Sequence, residues 1–172
     1  MKKFQVTLLA TLAVALMVIL QIRADEKNVP TDDKDFITKA HGMCQTAMKL
    51  SQLAEKQAAN PAVREFATEI VKDHQKFADE LATHAKNQGV ATTTELSREG
   101  QADVDRLSKL QGAEFDKEYV DKMIKGHQKA IDFCEGQVKT ATSPDLKKCS
   151  QERLTVLNDH LNRAKEIAKT IK

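Results

Sequence analysis

Three histidines lie near the middle of long apolar patterns that are typical of packed helices. His74 and His127 fall on the apolar seam of their patterns, and His160 falls on the shoulder of its own. Helices that pack side by side would bring the three imidazoles to one level of the core. Imidazole nitrogen suits zinc, copper and iron better than magnesium or calcium. The placement predicts either a transition-metal or haem site, or a structural layer of hydrogen-bonded polar side chains.

The fourth side of this level would come from the first long helix. The donors it offers there are Cys44, Gln45 and Met48, and Cys44 joins the three histidines in the predicted ligand set. A structural layer would instead need hydrogen-bond partners for the imidazoles, because buried polar groups are nearly always paired. The candidates for that role are Asp73, Asp159 and Tyr119.

Four long helical patterns would position these side chains. They cover residues 33–58, 61–88, 114–141 and 144–171. Asn60-Pro61 and Ser143-Pro144 each place an N-cap residue before a proline at the first helical position. Both links are short, so the helices should form two hairpins. No window alternates with the period of two that marks a strand.

The connection between the two hairpins is much longer. Thr92, Thr93 and Thr94 can cap a short helix over residues 95–110, which Gly112 would close. A helix of about 16 residues spans roughly 24 Å, enough to run along much of the bundle. The predicted fold is therefore all-α, a four-helix ferritin-like bundle with one long crossover that carries a short extra helix.

The sequence does not predict a di-iron site in this bundle. Di-iron bundles place a Glu three residues before a His on two of their helices. The residues three before the histidines here cannot bind a metal: they are Val71, Ile124 and Leu157. No nucleophile–base pair stands out elsewhere. No residue is assigned a catalytic role, and the sequence favours a protein that is not an enzyme.

The N-terminus has the layout of a secretory signal. Lys2 and Lys3 precede an apolar run over residues 6–22, and Ala24 offers a small residue just before Asp25. Residues 1–24 are predicted to be a signal peptide or, if uncleaved, a membrane anchor that forms a helix. A linker over residues 25–32 and a bundle domain over 33–172 would follow. Both alternatives predict an exported protein of the periplasm or envelope.

Charge and composition exclude further classes of protein. The 172 residues carry a formal net charge of +2, and acidic and basic side chains are interspersed. Without a basic block or a basic stretch studded with aromatics, nucleic acid is not an expected partner. Neither phosphate-binding glycine pattern, GxxxxGK[ST] or GxGxxG, occurs. Association with the envelope or a membrane would go through the N-terminal segment, and the oligomeric state is left open.

The three cysteines allow a simple pairing. Cys134 lies about six residues before the second hairpin's turn and Cys149 about five residues after it, so both lie roughly 8–9 Å from the tip. In an exported protein, cysteines at matched levels of a hairpin are expected to form a disulfide. The alternative is two buried thiols. Cys44 would then be left as core filler, a metal ligand or a link to a second chain.

Several motifs resemble one family across nearly the whole domain, from about Asp33 to Ile171. They are Phe36-x3-Ala40-x-Gly42-Met43, Val63-Arg64-x-Phe66-Ala67-x3-Val71-x-Asp73-His74, Phe115-Asp116-x2-Tyr119 with His127 eight residues on, Asp145-Leu146-Lys147 and Leu157-x2-His160-Leu161-x2-Ala164. The family is the exported bacterial ferritin-like domain of unknown function 4142, whose members are often labelled outer-membrane proteins. The resemblance implies the ferritin-like fold and export, but no reaction. Family members usually carry acidic residues after the Gly-Met pair, where this chain has Gln45 and Ala47.

Two functions remain open at the level of sequence. The first is a non-enzymatic bundle of the cell envelope with a structural, stress-related or binding role. The alternative is a protein that binds a transition metal (zinc, copper or iron) or haem through its histidine layer.

Overall fold

The computed structural model describes residues 31–171. These form five helices: α1 (Thr31–Gln57), α2 (Pro61–Asn87), α3 (Arg98–Leu107), α4 (Gly112–Thr140) and α5 (Pro144–Thr170). The predicted signal segment, residues 1–24, lies outside the described part. The predicted linker does too, except for its last two residues, which open α1. Among the described residues, no helix is long and apolar enough to cross a membrane.

The two tight turns form as predicted. Asn60 accepts a hydrogen bond from the amide of Ala62 at 2.8 Å, and Pro61 is the first residue of α2. Ser143 likewise accepts from the amide of Leu146 at 3.4 Å, and Pro144 begins α5. An N-cap side chain satisfies one of the amides that the first helical turn leaves free. Each turn therefore ends one helix and starts the next, producing the hairpins α1–α2 and α4–α5.

Two buried aspartates tie the hairpins together and reveal the topology. Asp116, near the start of α4, accepts from the amides of Ala59 and Asn60 in the α1–α2 turn, at 3.0 and 2.7 Å. Asp33, near the start of α1, accepts from the amide of Ser143 in the α4–α5 turn at 3.1 Å. Helix α4 therefore begins at the end of the bundle where α1 finishes. The chain must cross the length of the bundle between α2 and α4, which confirms the one-crossover fold.

The crossover itself differs from the prediction. Its helix, α3, has 10 residues and is capped by Ser97, whose Oγ accepts from the amide of Gly100 at 3.0 Å. Ten residues of helix cover only about 15 Å. The non-helical residues 90–97 add to the length of the crossover, because non-helical chain can span up to about 3.3–3.6 Å per residue. Gly100 lets α3 approach α1, because a Cβ there would lie 2.6 Å from Thr46 Oγ1. Gly112, with φ +63°, opens α4 rather than closing the short helix.

The core consists of two apolar clusters separated by a polar layer. One cluster contains Phe77, Ile131 and Leu157, and the other contains Ile70, Met123 and Ala164. Along each helix a histidine falls between a member of one cluster and a member of the other. The bundle therefore places His74, His127 and His160 at the same mid-height, with apolar packing above and below.

Candidate metal centre

The structure brings the three histidines together. Their ring centroids are 5.5 Å apart for His74 and His127, 5.6 Å for His74 and His160, and 5.3 Å for His127 and His160. One nitrogen from each ring lies within 4.8 Å of the other two. All three side chains are buried, with exposures of 5%, 3% and 1%. They form a compact cluster contributed by α2, α4 and α5, called the histidine cluster below.

Backbone carbonyls fix the tautomers of two of these rings. His74 Nδ1 donates to the carbonyl of Ile70 at 3.0 Å, and His127 Nδ1 donates to the carbonyl of Met123 at 2.8 Å. A carbonyl oxygen can only accept, so Nδ1 carries the proton in both rings. The lone pair of each neutral imidazole is therefore on Nε2.

The third ring is held the opposite way round. His160 Nε2 donates to Asp73 Oδ2 at 3.1 Å, which leaves the lone pair on Nδ1. That nitrogen and His127 Nε2 are buried and have no hydrogen-bond partner in the described chain. Of the other predicted partners, Tyr119 instead shares a 2.8 Å hydrogen bond with Ser51, and Asp159 is exposed. In metal sites, a histidine ligand almost always donates the N–H of its other ring nitrogen to a carbonyl or a carboxylate. Each of the three rings here donates such a hydrogen bond.

Burial keeps the imidazoles neutral. It lowers the pKa of His74 well below 6.5 and that of His127 to about 4, and the charge of Arg153 acts in the same direction. Burial also lowers the pKa of His160, opposed by the hydrogen bond to Asp73. At neutral pH the cluster therefore presents three uncharged nitrogen donors.

Arg153 is the polar residue of this region that sequence reasoning missed. Its side chain is only 5% exposed, and its guanidinium carbon lies 4.7 Å above the Phe77 ring. Nη1 donates to the carbonyl of Asp73 at 3.4 Å, whereas Nε and Nη2 have no partner among the described residues. The signal was present, because Arg153 falls on the seam of α5, four residues before Leu157 and seven before His160. Arginine is mostly exposed in proteins, so a surface position was the natural reading.

The predicted disulfide is not formed in the structure. Cys134 and Cys149 are free thiols buried in the same apolar cluster, and Cys44 is free and buried too. Matched height fixes only one coordinate, whereas a bridge needs Cβ atoms about 3.5–4.5 Å apart and a specific dihedral angle. Burial raises the pKa of Cys44 to about 12 and the pKa values of Cys134 and Cys149 to about 11, so all three are neutral core residues.

The remaining predicted ligand, Cys44, lies beside the histidine cluster but is not one of its close members. Its sulfur is not part of the group whose ligand atoms all lie within 4.8 Å of one another. It instead lines a cavity that also reaches His74 and His127. A second close group, Glu69, Asp73 and His160, lies nearer the surface. Glu69 is paired there with Arg163, and Asp73 with His160, so these carboxylates are already engaged.

The fold and the cluster define a class of protein: one-crossover four-helix bundles with a buried imidazole layer. The family model described as "Domain of unknown function (DUF4142)" matches residues 21–167, and the chain belongs to this family. This match confirms the resemblance seen in the sequence. No curated protein matches the chain.

Several solved structures share the fold. A DUF305 fragment from Deinococcus radiodurans is 14% identical, with a TM-score of 0.75 over 83% of this chain and 98% of that one. A DUF305 protein from Streptomyces coelicolor is 15% identical, with a TM-score of 0.69 over 79% and 91%. CopM in its Cu(I)-bound form is 20% identical, with a TM-score of 0.69 over 80% and 96%. At these identities the likeness shows the fold alone.

Proposed function

We propose that this protein binds one transition-metal ion in its core through His74 Nε2, His127 Nε2 and His160 Nδ1, and that Cu(I) fits best. The observation that carries the proposal is the orientation of the three rings. Each donates its other N–H to a fixed acceptor, so each directs a lone pair away from that acceptor. Leaving buried nitrogens of His127 and His160 without any partner costs about 1–3 kcal/mol each. A bound ion would offset that cost.

The spacing suits a single ion after a small movement. Imidazole nitrogens bind metal at about 2.0–2.1 Å, so two ligands of one ion lie roughly 3–4 Å apart. One nitrogen of each ring already lies within 4.8 Å of a nitrogen in both other rings. Side-chain adjustments of about 1 Å or less would close the set around an ion.

The charge of the site favours a monovalent ion. Three neutral imidazoles add no negative charge, and Arg153 adds a buried positive one close by. Moving charge out of water is costly, and the cost rises with the charge of the ion. Imidazole is a good ligand for copper, so Cu(I) combines a suitable donor set with the smaller charge. CopM, a protein of the same fold, has been crystallised with Cu(I), Cu(II) and silver, which supports this choice.

The setting we propose is outside the cytoplasm, in a non-enzymatic binding role. The Lys2-Lys3 pair, the apolar run and Ala24 support export. The similar protein from Streptomyces coelicolor is described as secreted, which agrees with it. The buried position of the cluster favours holding an ion over turning over a substrate, because its three donors lie in the core between two apolar clusters.

Competition for Cu(I) with a chromogenic chelator tests the proposal. The untagged full chain, reduced and metal-free, should withdraw one equivalent of Cu(I) under anaerobic conditions. Replacing a ligand by His74→Gln should weaken binding by more than the roughly 10–100-fold that loss of an outer partner costs. His84→Gln is the matched control, because His84 lies on the same helix, half-buried and outside the cluster, and should leave binding unchanged.

The thiols are the rival ligands, and the same titration distinguishes them. A Cys44→Ala/Cys134→Ala variant should bind Cu(I) as the wild type does. Copper retained by His74→Gln but lost by the double cysteine variant would assign the ion to the thiols. That result would overturn the proposal.

A further inference from the structure

A cavity of about 770 Å³ opens between α1, α4 and the crossover. Its walls are mainly apolar, with Met43, Leu50 and Phe133 among the lining side chains. Gly42 and Gly126, on the facing helices, also line it, and a Cβ at either position would meet no heavy atom within 4 Å. Pockets of 300–1,000 Å³ with apolar walls and a few polar groups are typical sites for small molecules.

Arg153 also lines this cavity. No salt bridge among residues 31–171 includes it, although it is 5% exposed. A buried charge without a counter-ion is strongly destabilising. Its two unpartnered donors, Nε and Nη2, lie on one edge of the guanidinium. That edge presents two parallel N–H groups spaced to match the two oxygens of a carboxylate.

No carboxylate among the described residues accepts a hydrogen bond from Arg153. The negative charges of Asp73 and Glu80 act on the guanidinium without contacting it. Glu95, Glu99 and Asp103 line the same cavity, but none of them pairs with Arg153. The thiols and imidazoles around the cavity are neutral groups, as set out above. An anion bound in the cavity would supply the two acceptors that Nε and Nη2 lack, and the mainly apolar walls favour an anion with an apolar body.

We infer that the cavity binds an amphipathic monocarboxylate, a molecule with one carboxylate and a compact hydrocarbon body. The carboxylate accepts two hydrogen bonds from Nε and Nη2 of Arg153. The hydrocarbon body lies between α1 and α4 against the apolar wall, in the space that Gly42 and Gly126 leave open. This site does not depend on the proposed metal, since neither the fork of Arg153 nor the apolar wall belongs to the histidine cluster.

Calorimetric titration of the metal-free full chain with octanoate tests the inference. Octanoate should bind saturably, whereas octylamine, which reverses the charge, and acetate, which lacks the hydrocarbon body, should bind at least tenfold more weakly. Arg153→Met keeps an unbranched apolar side chain but removes the fork, and it should weaken octanoate binding at least tenfold. Arg163→Met is the matched control, because Arg163 is a half-exposed arginine on the same helix paired with Glu69, and it should have no effect.

A second variant keeps the test valid if Arg153→Met does not fold. Gly126→Leu fills the cavity from a helical position where a side chain has open space, so it should fold and should abolish octanoate binding. Absence of saturable binding by the wild type would overturn the inference. So would equal binding by Gly126→Leu, or acetate or chloride binding as tightly as octanoate. The metal-free titration leaves the copper proposal untouched in every case.

Discussion

His160 donates its Nε2 proton to Asp73 across 3.1 Å, and this hydrogen bond turns the other nitrogen of the ring toward the middle of the bundle. Asp73 directly precedes His74 on α2. One turn of α2 therefore supplies both a ring of the cluster and the group that orients a second ring from α5. The two helices are coupled at this height by the carboxylate, so the geometry of the cluster should depend on it.

Replacing Asp73 should weaken the metal site without removing a ligand. Asp73→Ala leaves His160 without the acceptor that orients it and makes the ring less basic, so Cu(I) affinity should fall about 10–100-fold. Asp73→Asn keeps a neutral acceptor oxygen and should give a smaller loss. Chelator competition measures both. Asp79→Asn, an exposed change on the same helix, should have no effect, and equal affinities for Asp73→Ala and Asp79→Asn would contradict the coupling.

The metal-free protein should lose stability as the pH falls through the range of the histidines. An unfolded histidine takes up a proton near pH 6.5, whereas burial lowers the pKa of His127 to about 4 in the folded state. Between these values the unfolded state binds more protons, so the free energy of unfolding decreases as the pH falls. The slope is about 1.4 kcal/mol per pH unit for each such histidine. Above pH 6.5 this contribution to stability is fully present.

Urea denaturation at intervals between pH 5 and pH 7 measures that slope. Most carboxylates stay ionised there, so the histidines dominate the change. His127→Leu should reduce the slope, because one buried titrating group is removed. If the free energy of unfolding of the metal-free wild type did not change between pH 5 and pH 7, the imidazoles would be more hydrated than their burial indicates.

Much of the bundle was predictable because its turn signals are local. Asn60-Pro61 and Ser143-Pro144 act within three residues of where they stand, so the hairpins followed directly from the sequence. The length of the crossover helix was overestimated. Residues 90–97 are polar and rich in threonine, and such a sequence is compatible with either a helix or an extended segment. Contact with α1 at Gly100 decides where α3 lies, and no local pattern reports that contact.

The histidine cluster was predictable in part. Apolar periodicity placed the three rings at one height, but not the tautomers, which depend on carbonyls and on Asp73. The free cysteines show the same limit, since height along a hairpin does not determine whether two sulfurs meet. The buried position of Arg153 was not predicted, because arginine is mostly exposed in proteins. Its heptad spacing with Leu157 and His160 was the better guide.

The hydrogen bonds between Asp116 and the α1–α2 turn should stabilise the folded protein. Asp116 is buried and accepts two backbone amides from the opposite turn, so Asp116→Ala should lower the free energy of unfolding by about 2–4 kcal/mol. Asp116→Asn keeps one acceptor oxygen and should cost less. Urea denaturation checks this, with Asp132→Ala as an exposed control on the same helix that should change stability by about 0.5 kcal/mol or less. A similar result for Asp116→Ala and Asp132→Ala would refute the tie.

His127→Leu separates a metal site from a structural polar layer. In the metal-free protein the change removes a buried nitrogen that has no partner, and leucine can pack against the apolar clusters above and below the layer. The free energy of unfolding should therefore stay the same or rise by about 1–2 kcal/mol. His160→Leu is the matched comparison. It should be less favourable, because Asp73 would lose its donor.

With Cu(I) present, the wild type should be more stable to unfolding than His127→Leu. The wild type gains stability because the ion binds only the folded state, by about 2.7 kcal/mol at a free concentration one hundred times the Kd. His127→Leu lacks a ligand and should gain almost nothing. Denaturation curves with and without Cu(I) measure both effects on the same samples. A loss of more than about 2 kcal/mol in the metal-free variant, together with no gain by the wild type on adding Cu(I), would assign the histidines to a structural layer, because a group kept for binding contributes little until its ligand arrives.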